Sequence, residues 1–212
     1  MPRRNWFALA ALGACWLAAA PAQAQNLLVN PGFEDPVTYD GPPFVGSWEA
    51  FNAGPGSSAA NSSALPRSGA QHLALSIIAT DNSFAGAFQD VPGMIPGLET
   101  IFSGYHMTTT DPFDVGVEIR IEWRNSVSNT EVARTPNLTP LPPSQYGPFS
   151  LVATVPAGAD TARVVYAIQS FGPGPTNTGT VYVDDVSFVI PEPATIGLLV
   201  LGGCVLAGHR RR

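Results

Sequence analysis

Two adjacent acids, Asp184 and Asp185, interrupt the last extended stretch of this chain, GTVYVDDVSFV (residues 179–189). A third, Glu34, stands near the start in the turn Gly32-Phe33-Glu34. Val181 and Val183 alternate onto one face. Val186 and Phe188 return to that face only if the phase slips by one residue at the acid pair, which is what a β-bulge does. Carboxylates held side by side on a bulge repel one another unless positive charge lies between or beside them. Calcium accepts carboxylate and carbonyl oxygens in flexible geometry, and would take Glu34, Asp184 and Asp185 as acidic ligands if the first and last strands adjoin. In the alternative, one aspartate caps a turn and the other faces water.

Catalytic chemistry is harder to find. Acyl transfer needs a nucleophile activated by a neighbouring base. No G-x-S-x-G occurs, and residues 25–190 hold only His72 and His106, neither in an H-E-x-x-H spacing. Both read as strand residues with core or surface roles. Glycoside hydrolysis asks for two carboxylates at a suitable separation; fifteen acids in this region could supply them, but no pattern selects a pair. The chain is therefore read as not an enzyme, with a secreted two-carboxylate hydrolase as an alternative. Rings that could stack on a sugar are Trp48, Tyr105, Tyr146 and Tyr166, with packing as the alternative for each, while Phe33 and Trp123 suit a core.

Charge and cysteine content narrow the partners. Between residues 25 and 191 five arginines face fifteen acids and no lysine occurs, so this region carries ten more negative charges than positive. Such a surface repels phosphate backbones and anionic lipid, which argues against nucleic acid and peripheral membrane binding and suits divalent cations and neutral ligands. Cys15 and Cys204 both fall in the terminal segments. Residues 25–190 thus have no disulfide, thiolate ligand or thiol nucleophile, and a core must hold the fold.

The elements that position these residues are strands. In residues 114–124, Val115, Val117, Ile119, Ile121 and Trp123 share one face, and Glu118, Arg120, Glu122 and Arg124 share the other. Period two over that length is a half-buried antiparallel strand with opposite charges laddered on its wet face. Further strands are expected over 71–79, 83–90, 99–108, 150–155, 162–171 and 180–189. Breakers separate them: the glycine- and serine-containing stretch 52–63, the prolines of 92–96, the proline-rich 136–148, and Gly172-Pro173-Gly174-Pro175. The serines of 57–63 read as a flexible loop. Many short strands with turn signals between them predict an all-β, two-sheet antiparallel sandwich.

The opening NLLVNPGFEDP (residues 26–36) and the closing GTVYVDDVSFV bracket GSWEAF, RSGAQHLALS, FQDVPGMIPGLETIFSGYHM and YGPFSLVATVPAGADTARVVYAIQS. In that order they resemble the landmarks of the galactose-binding-like jelly rolls, which include many carbohydrate-binding modules. The resemblance implies neighbouring first and last strands, a structural calcium near the acids, and non-catalytic binding of extracellular polysaccharide. A purely structural or adhesive matrix component without a sugar site is the alternative.

Both ends read as targeting segments. Arg3-Arg4, an apolar run over 6–20 and Ala22-Gln23-Ala24 make a signal peptide cleaved after Ala24. At the other end Pro191-Glu192-Pro193 precedes fifteen uncharged, mostly apolar residues, 194–208, and then His209, Arg210, Arg211 and Arg212. As a helix that run covers roughly 22 Å, short of the ~30 Å hydrocarbon core. The prolines hold Glu192 extended, and the arginines favour the cytoplasmic side. This combination resembles the PEP-CTERM sorting signal. It implies recognition by an exosortase, a membrane-embedded cysteine transpeptidase of Gram-negative bacteria that make exopolysaccharide. The expected organisation is a signal peptide (1–24), a jelly roll (25–190) and a sorting signal with a short apolar helix (191–212). The protein would be exported, held transiently at the inner membrane, and delivered to the outer surface or extracellular matrix. A permanent short anchor is the alternative.

Overall fold

Period-two alternation builds ten strands in the computed structural model, which describes residues 24–191. Residues 1–23 of the expected signal peptide, together with Glu192, Pro193 and Arg210–Arg212 of the expected sorting signal, lie outside the described residues. Gln25–Ile190 forms one compact unit. Its strands are β1 (Glu49–Ala53), β2 (Ser57–Ser62), β3 (His72–Ile77), β4 (Phe84–Pro92), β5 (Glu99–Thr108), β6 (Gly116–Asn125), β7 (Thr130–Arg134), β8 (Gly147–Thr154), β9 (Thr161–Gln169) and β10 (Gly179–Val189). They make two five-stranded antiparallel sheets: sheet I in the order β1-β4-β9-β6-β7, and sheet II in the order β2-β3-β10-β5-β8. No helix among the described residues is long and apolar enough to cross a membrane.

The core lies between the sheets. Val117, Ile119, Ile121 and Trp123 of β6 meet Leu73, Leu75 and Ile77 of β3 and Val181, Val183 and Phe188 of β10 in one buried cluster. Burying each such side chain stabilises the fold by about 1.5–3 kcal/mol. Residues 57–63 are not the flexible loop expected. Most of them form β2, which zips onto β3 from Ser57 opposite Ile77 to Ser62 opposite His72. Serine and alanine have weak strand preference; here the open edge of β3 supplies the hydrogen bonds, and Ala59 fills the core. Strands β1 and β7, five residues each, were likewise unmarked by any long alternation.

The phase slip in β10 is real. Pairing with β5 shifts register between Asp184 and Ser187, and Asp185 takes a positive φ of 48°. The opening segment runs beside this region. Leu27 N donates to Phe188 O at 2.9 Å, and Val186 N to Pro31 O at 2.9 Å. The Asn26 side chain accepts from Phe188 N and donates to Val186 O, both at 3.0 Å. First and last segments adjoin, although the first forms no regular strand.

One polar pair bridges the sheets. His106 of β5 and Tyr166 of β9 face each other across the core, with Nδ1 and the phenol oxygen 2.6 Å apart. Burial lowers the His106 pKa to about 4 and raises that of Tyr166 well above its ordinary value. His72 is also fully buried, 4.6 Å from the Tyr182 ring, and burial lowers its pKa too. Both imidazoles are neutral in the fold and free to protonate in the unfolded chain. Their contribution is fully present above the unfolded value of 6.5 and declines below it, that of His106 being lost as pH falls toward about 4. Thermal melts should therefore show Tm falling across that window, with His106→Gln flattening the fall. An identical pH slope in that variant would rule His106 out as a source.

Candidate functional site

Asp184 leaves β10 at the bulge with no solvent exposure, and three backbone N–H groups converge on it. Arg67 N and Ser68 N donate to Oδ2 at 2.9 and 3.1 Å, and Asp185 N donates to Oδ1 at 2.7 Å. Asp185 receives the Ser68 hydroxyl at 2.7 Å and pairs with the Arg67 guanidinium. Glu34 accepts from Ala70 N at 3.0 Å and Gln71 N at 3.3 Å, while the Gln71 amide donates back to the Glu34 carbonyl at 3.0 Å. The loop 67–71 thus turns backbone N–H groups toward Asp184 and Glu34, and the Arg67 and Ser68 side chains toward Asp185. Gly69 makes this possible: its φ is +59°, and a Cβ there would run into the Glu34 carboxylate.

The three expected ligands are drawn to one loop, but this arrangement does not fit calcium. Amide N–H groups and a guanidinium occupy the oxygens a cation would need. Among the described residues no group of three or more His, Cys, Asp or Glu is placed to hold a metal ion. The positive charge that the bulge requires comes from Arg67 and from amide dipoles. Burial still raises the Asp184 pKa, opposed by its bonds to Ser68, Asp185 and Arg67.

Of the four rings that could stack on a sugar, Trp48 and Tyr166 are buried, and Tyr105 and Tyr146 are half-buried against the chain around Leu65–Arg67. Trp48 is 2% exposed, lies 4.9 Å from Phe33 and donates its indole N–H to Asn30 O at 3.1 Å. Tyr166 is the interior partner of His106. Tyr105 carries the Arg67 guanidinium 3.5 Å above its ring. Tyr146 is half-buried and donates to Leu65 O at 3.2 Å.

Other rings face outward, Phe84 exposed and Phe44, Phe51 and Phe88 half-buried. On β1 and β4, Ala50, Ala85, Ala87 and Val91 face the core, so Phe51, Phe84 and Phe88 face outward. Phe44 joins them, 4.9 Å from Phe88, and Phe51 lies 5.9 Å from Phe84 and 6.0 Å from Phe88. Gly86 lets the Phe51 ring lie against the sheet, because a Cβ there would come within 2.8 Å of the Ala167 Cβ and collide with that ring. Arg163 sits 4.1 Å from the Phe88 centroid and 4.9 Å from that of Phe44, and grips Asp90 bidentately at 2.6 and 2.9 Å. Beyond β9, Arg120 is held between Glu118 at 3.0 Å and Glu122 at 2.8 Å, and Arg134 pairs with Glu131 at 2.6 Å. One flank of this outward face is therefore aromatic, and the other is polar with its charges paired. A sequence signal for it existed: small inward residues alternate with Phe84, Gly86 and Phe88.

No protein-family model matches the sequence, and no curated protein does. Solved structures do match the fold. A tailspike protein 4 enzymatically active domain from bacteriophage CBA120 superposes with a TM-score of 0.59 at 16% identity, covering 78% of this chain; the chain spans 21% of that structure's length. The CBM22-1 xylan-binding domain of Xyn10C from Paenibacillus barcinonensis gives 0.56 at 13% identity, covering 82% of this chain and all of that one (100%). TmCBM61 in complex with β-1,4-galactotriose gives 0.51 at 11% identity, covering 79% of this chain and 100% of that one. The fold is thus the β-sandwich jelly roll also found in carbohydrate-binding modules.

The clasp around Asp184 makes a direct forecast. Chelation with EDTA, or addition of calcium, should leave the Tm of the protein unchanged. Asp184→Ala strands the Arg67 and Ser68 N–H groups and should cost about 2–4 kcal/mol in denaturant unfolding. A Tm that climbs with calcium would show that a cation displaces these donors.

Proposed function

We propose that this chain is a non-catalytic module that binds an uncharged extracellular polysaccharide on the outward face of sheet I. The row Phe44, Phe51, Phe84 and Phe88 carries the reading. Aromatic faces accept the C–H faces of pyranose rings, and the outward ring of Phe84 is 36% exposed. The ligand is neutral because the positive charges are spent. Arg67, Arg120, Arg134 and Arg163 each pair with a carboxylate, and Arg124 bonds the Asn129 side chain and carbonyl at 3.4 Å. Among the described residues only Arg124, which pairs with no carboxylate, remains for a uronate or a sulfate, against an excess of ten acids in residues 25–191. The xylan-binding and galactotriose-bound modules of like fold lend the same direction. A hydrolytic alternative lacks support, since Glu118 and Glu122 are held by Arg120 and the buried Asp184 lies beneath the loop 67–71.

Its destination follows from the termini. A cleaved signal peptide and a C-terminal Pro-Glu-Pro, short apolar run and arginine cluster support export, transient anchoring in the inner membrane and exosortase processing. The mature module would then reside on the surface or in the matrix of a Gram-negative bacterium. The order and position of these residues are the support for this route.

Two experiments bear on these statements. Affinity electrophoresis in gels of neutral glucans, xylans and galactans should retard the protein, and Phe51→Ala with Phe84→Ala should weaken retention at least about tenfold. Migration unaffected by any neutral or acidic polysaccharide would favour a purely structural matrix component. Separately, Glu192→Ala, or removal of Arg210–Arg212, should leave unprocessed precursor in the membrane fraction on immunoblots. Normal processing and release of both variants would sink the sorting reading.

A further inference from the structure

An open depression of ≈ 250 Å³ lies at one end of sheet I, lined by Phe113, Asp114, Gly116, Gln169, Phe171 and Asn177 among others. It continues the aromatic face. Phe84 of β4 pairs with Gln169 of β9, and Gln169 pairs with Gly116 of β6, so the three stand in one row across the sheet. Neighbouring strands lie about 4.8 Å apart, which puts the ends of this row roughly 10 Å from one another. At its far end the Phe171 ring lies over Gly116. Any Cβ at that glycine would come within 2.6 Å of Phe171 Cε2. Phe171 is nevertheless 67% exposed, so the glycine seats the ring without hiding it.

The polar groups around this ring are unevenly spent. Asp114 Oδ2 accepts from Thr176 N and Asn177 N, both at 2.8 Å, and from the Thr176 hydroxyl at 3.3 Å. These bonds hold the carboxyl below its ordinary pKa, so it stays ionised near neutrality. Among the described residues its second oxygen, and both ends of the Gln169 amide, make no hydrogen bond. The segment carrying the ring is already pinned. Asn177 donates to Gly172 O at 3.0 Å and to Asp81, and Gly172 N donates to Asn82 Oδ1 at 3.0 Å. Little ordering entropy remains to be lost on binding.

We propose that this depression is a distinct subsite for a single neutral pyranose, the end unit of a glycan whose further units run across the row to Phe84. The Phe171 ring takes the C–H face of the sugar. Gln169 supplies one donor and one acceptor, and Asp114 Oδ1 accepts from a neighbouring hydroxyl. The subsite rests on the sugar-binding reading above, but uses residues outside the row that carries it.

The test is titration of the protein with short neutral gluco-, xylo- and galacto-oligosaccharides, read by calorimetry and by amide shifts in NMR. The Gln169 side-chain amide and the backbone amides of Gly116 and Gly172 should shift. Phe171→Ala should lower affinity about tenfold, and Gly116→Ala, which displaces the ring, should do the same. Because Phe171 is mostly exposed, its loss should leave Tm close to that of the parent. Full oligosaccharide affinity in both variants, with loss in Phe51→Ala, would overturn the subsite and leave the sheet-face reading standing. Loss in Phe171→Ala with no effect of Phe51→Ala would support the subsite and overturn that reading instead. Absence of binding to every saccharide would overturn both.

Discussion

A carboxylate without solvent contact, Asp184, sets the terms for this sandwich. Removing a charge from water is costly unless donors replace the lost hydration. Here the replacements are three backbone N–H groups, two of them from a loop 116 and 117 residues earlier in the chain. To reach Asp184 that loop must cross the outward side of sheet II and enter β3 beside β10, which it does with Leu73 opposite Val183. The same loop then offers Ala70 N and Gln71 N to Glu34 in the opening turn. A single polar clasp thus ties the start, the approach to β3 and the last strand. The apolar cluster gains its order from strands already held in register.

Closing one face in this way leaves the other for recognition. Arg67 stacks on Tyr105 while pairing with Asp185, and Tyr146 reaches over to Leu65, so the outward side of sheet II near the bulge is filled by its own chain. Sheet I has no such cover along β1 and β4. There the tip of the Phe51 ring lies against Gly86, and Arg163 is wedged against Phe44 and Phe88 with its charge returned to Asp90. Ion pairs of this kind contribute modestly to stability when exposed. Their larger effect is on selectivity, because a guanidinium already bidentate to a carboxylate offers little to an anionic ligand.

The legible part of this structure was the part governed by local period. Residues 114–124 declared a strand with Val117, Ile119 and Ile121 inside, and the slip at Asp184-Asp185 declared the bulge, because side-chain alternation records burial directly. Ser57–Ser62 was illegible because its residues have little strand preference and the pairing edge lies in β3. The acids around Glu34 were read as converging, which was right. What neutralises them was not readable, since backbone N–H groups carry no sequence signature and Arg67 is one arginine among five. The proposed platform differs from the rings first considered for a related reason. Polar-tipped Tyr and Trp look like interface residues, yet here Trp48, Tyr105 and Tyr146 use their rings or polar tips within the fold, and Tyr166 does so with His106. The outward phenylalanines were hidden by the ordinary expectation that Phe is core.

Charge and shape together constrain how such a face can bind. Fifteen acids against five arginines leave a negative field around residues 25–191, and at physiological salt that field extends only about 8 Å. An uncharged glycan gains nothing from it and is held by contact alone, while an acidic one is repelled before contact and meets four arginines already paired with carboxylates. Contact with a shallow row of rings is individually weak, at roughly 0.5–1.5 kcal/mol per aromatic beyond its area. A polymer compensates by presenting the same unit many times, so that one dissociation is followed by rebinding at high local concentration. A shallow, neutral, aromatic face is therefore suited to a long polysaccharide, where repetition can supply the retention that a single site does not.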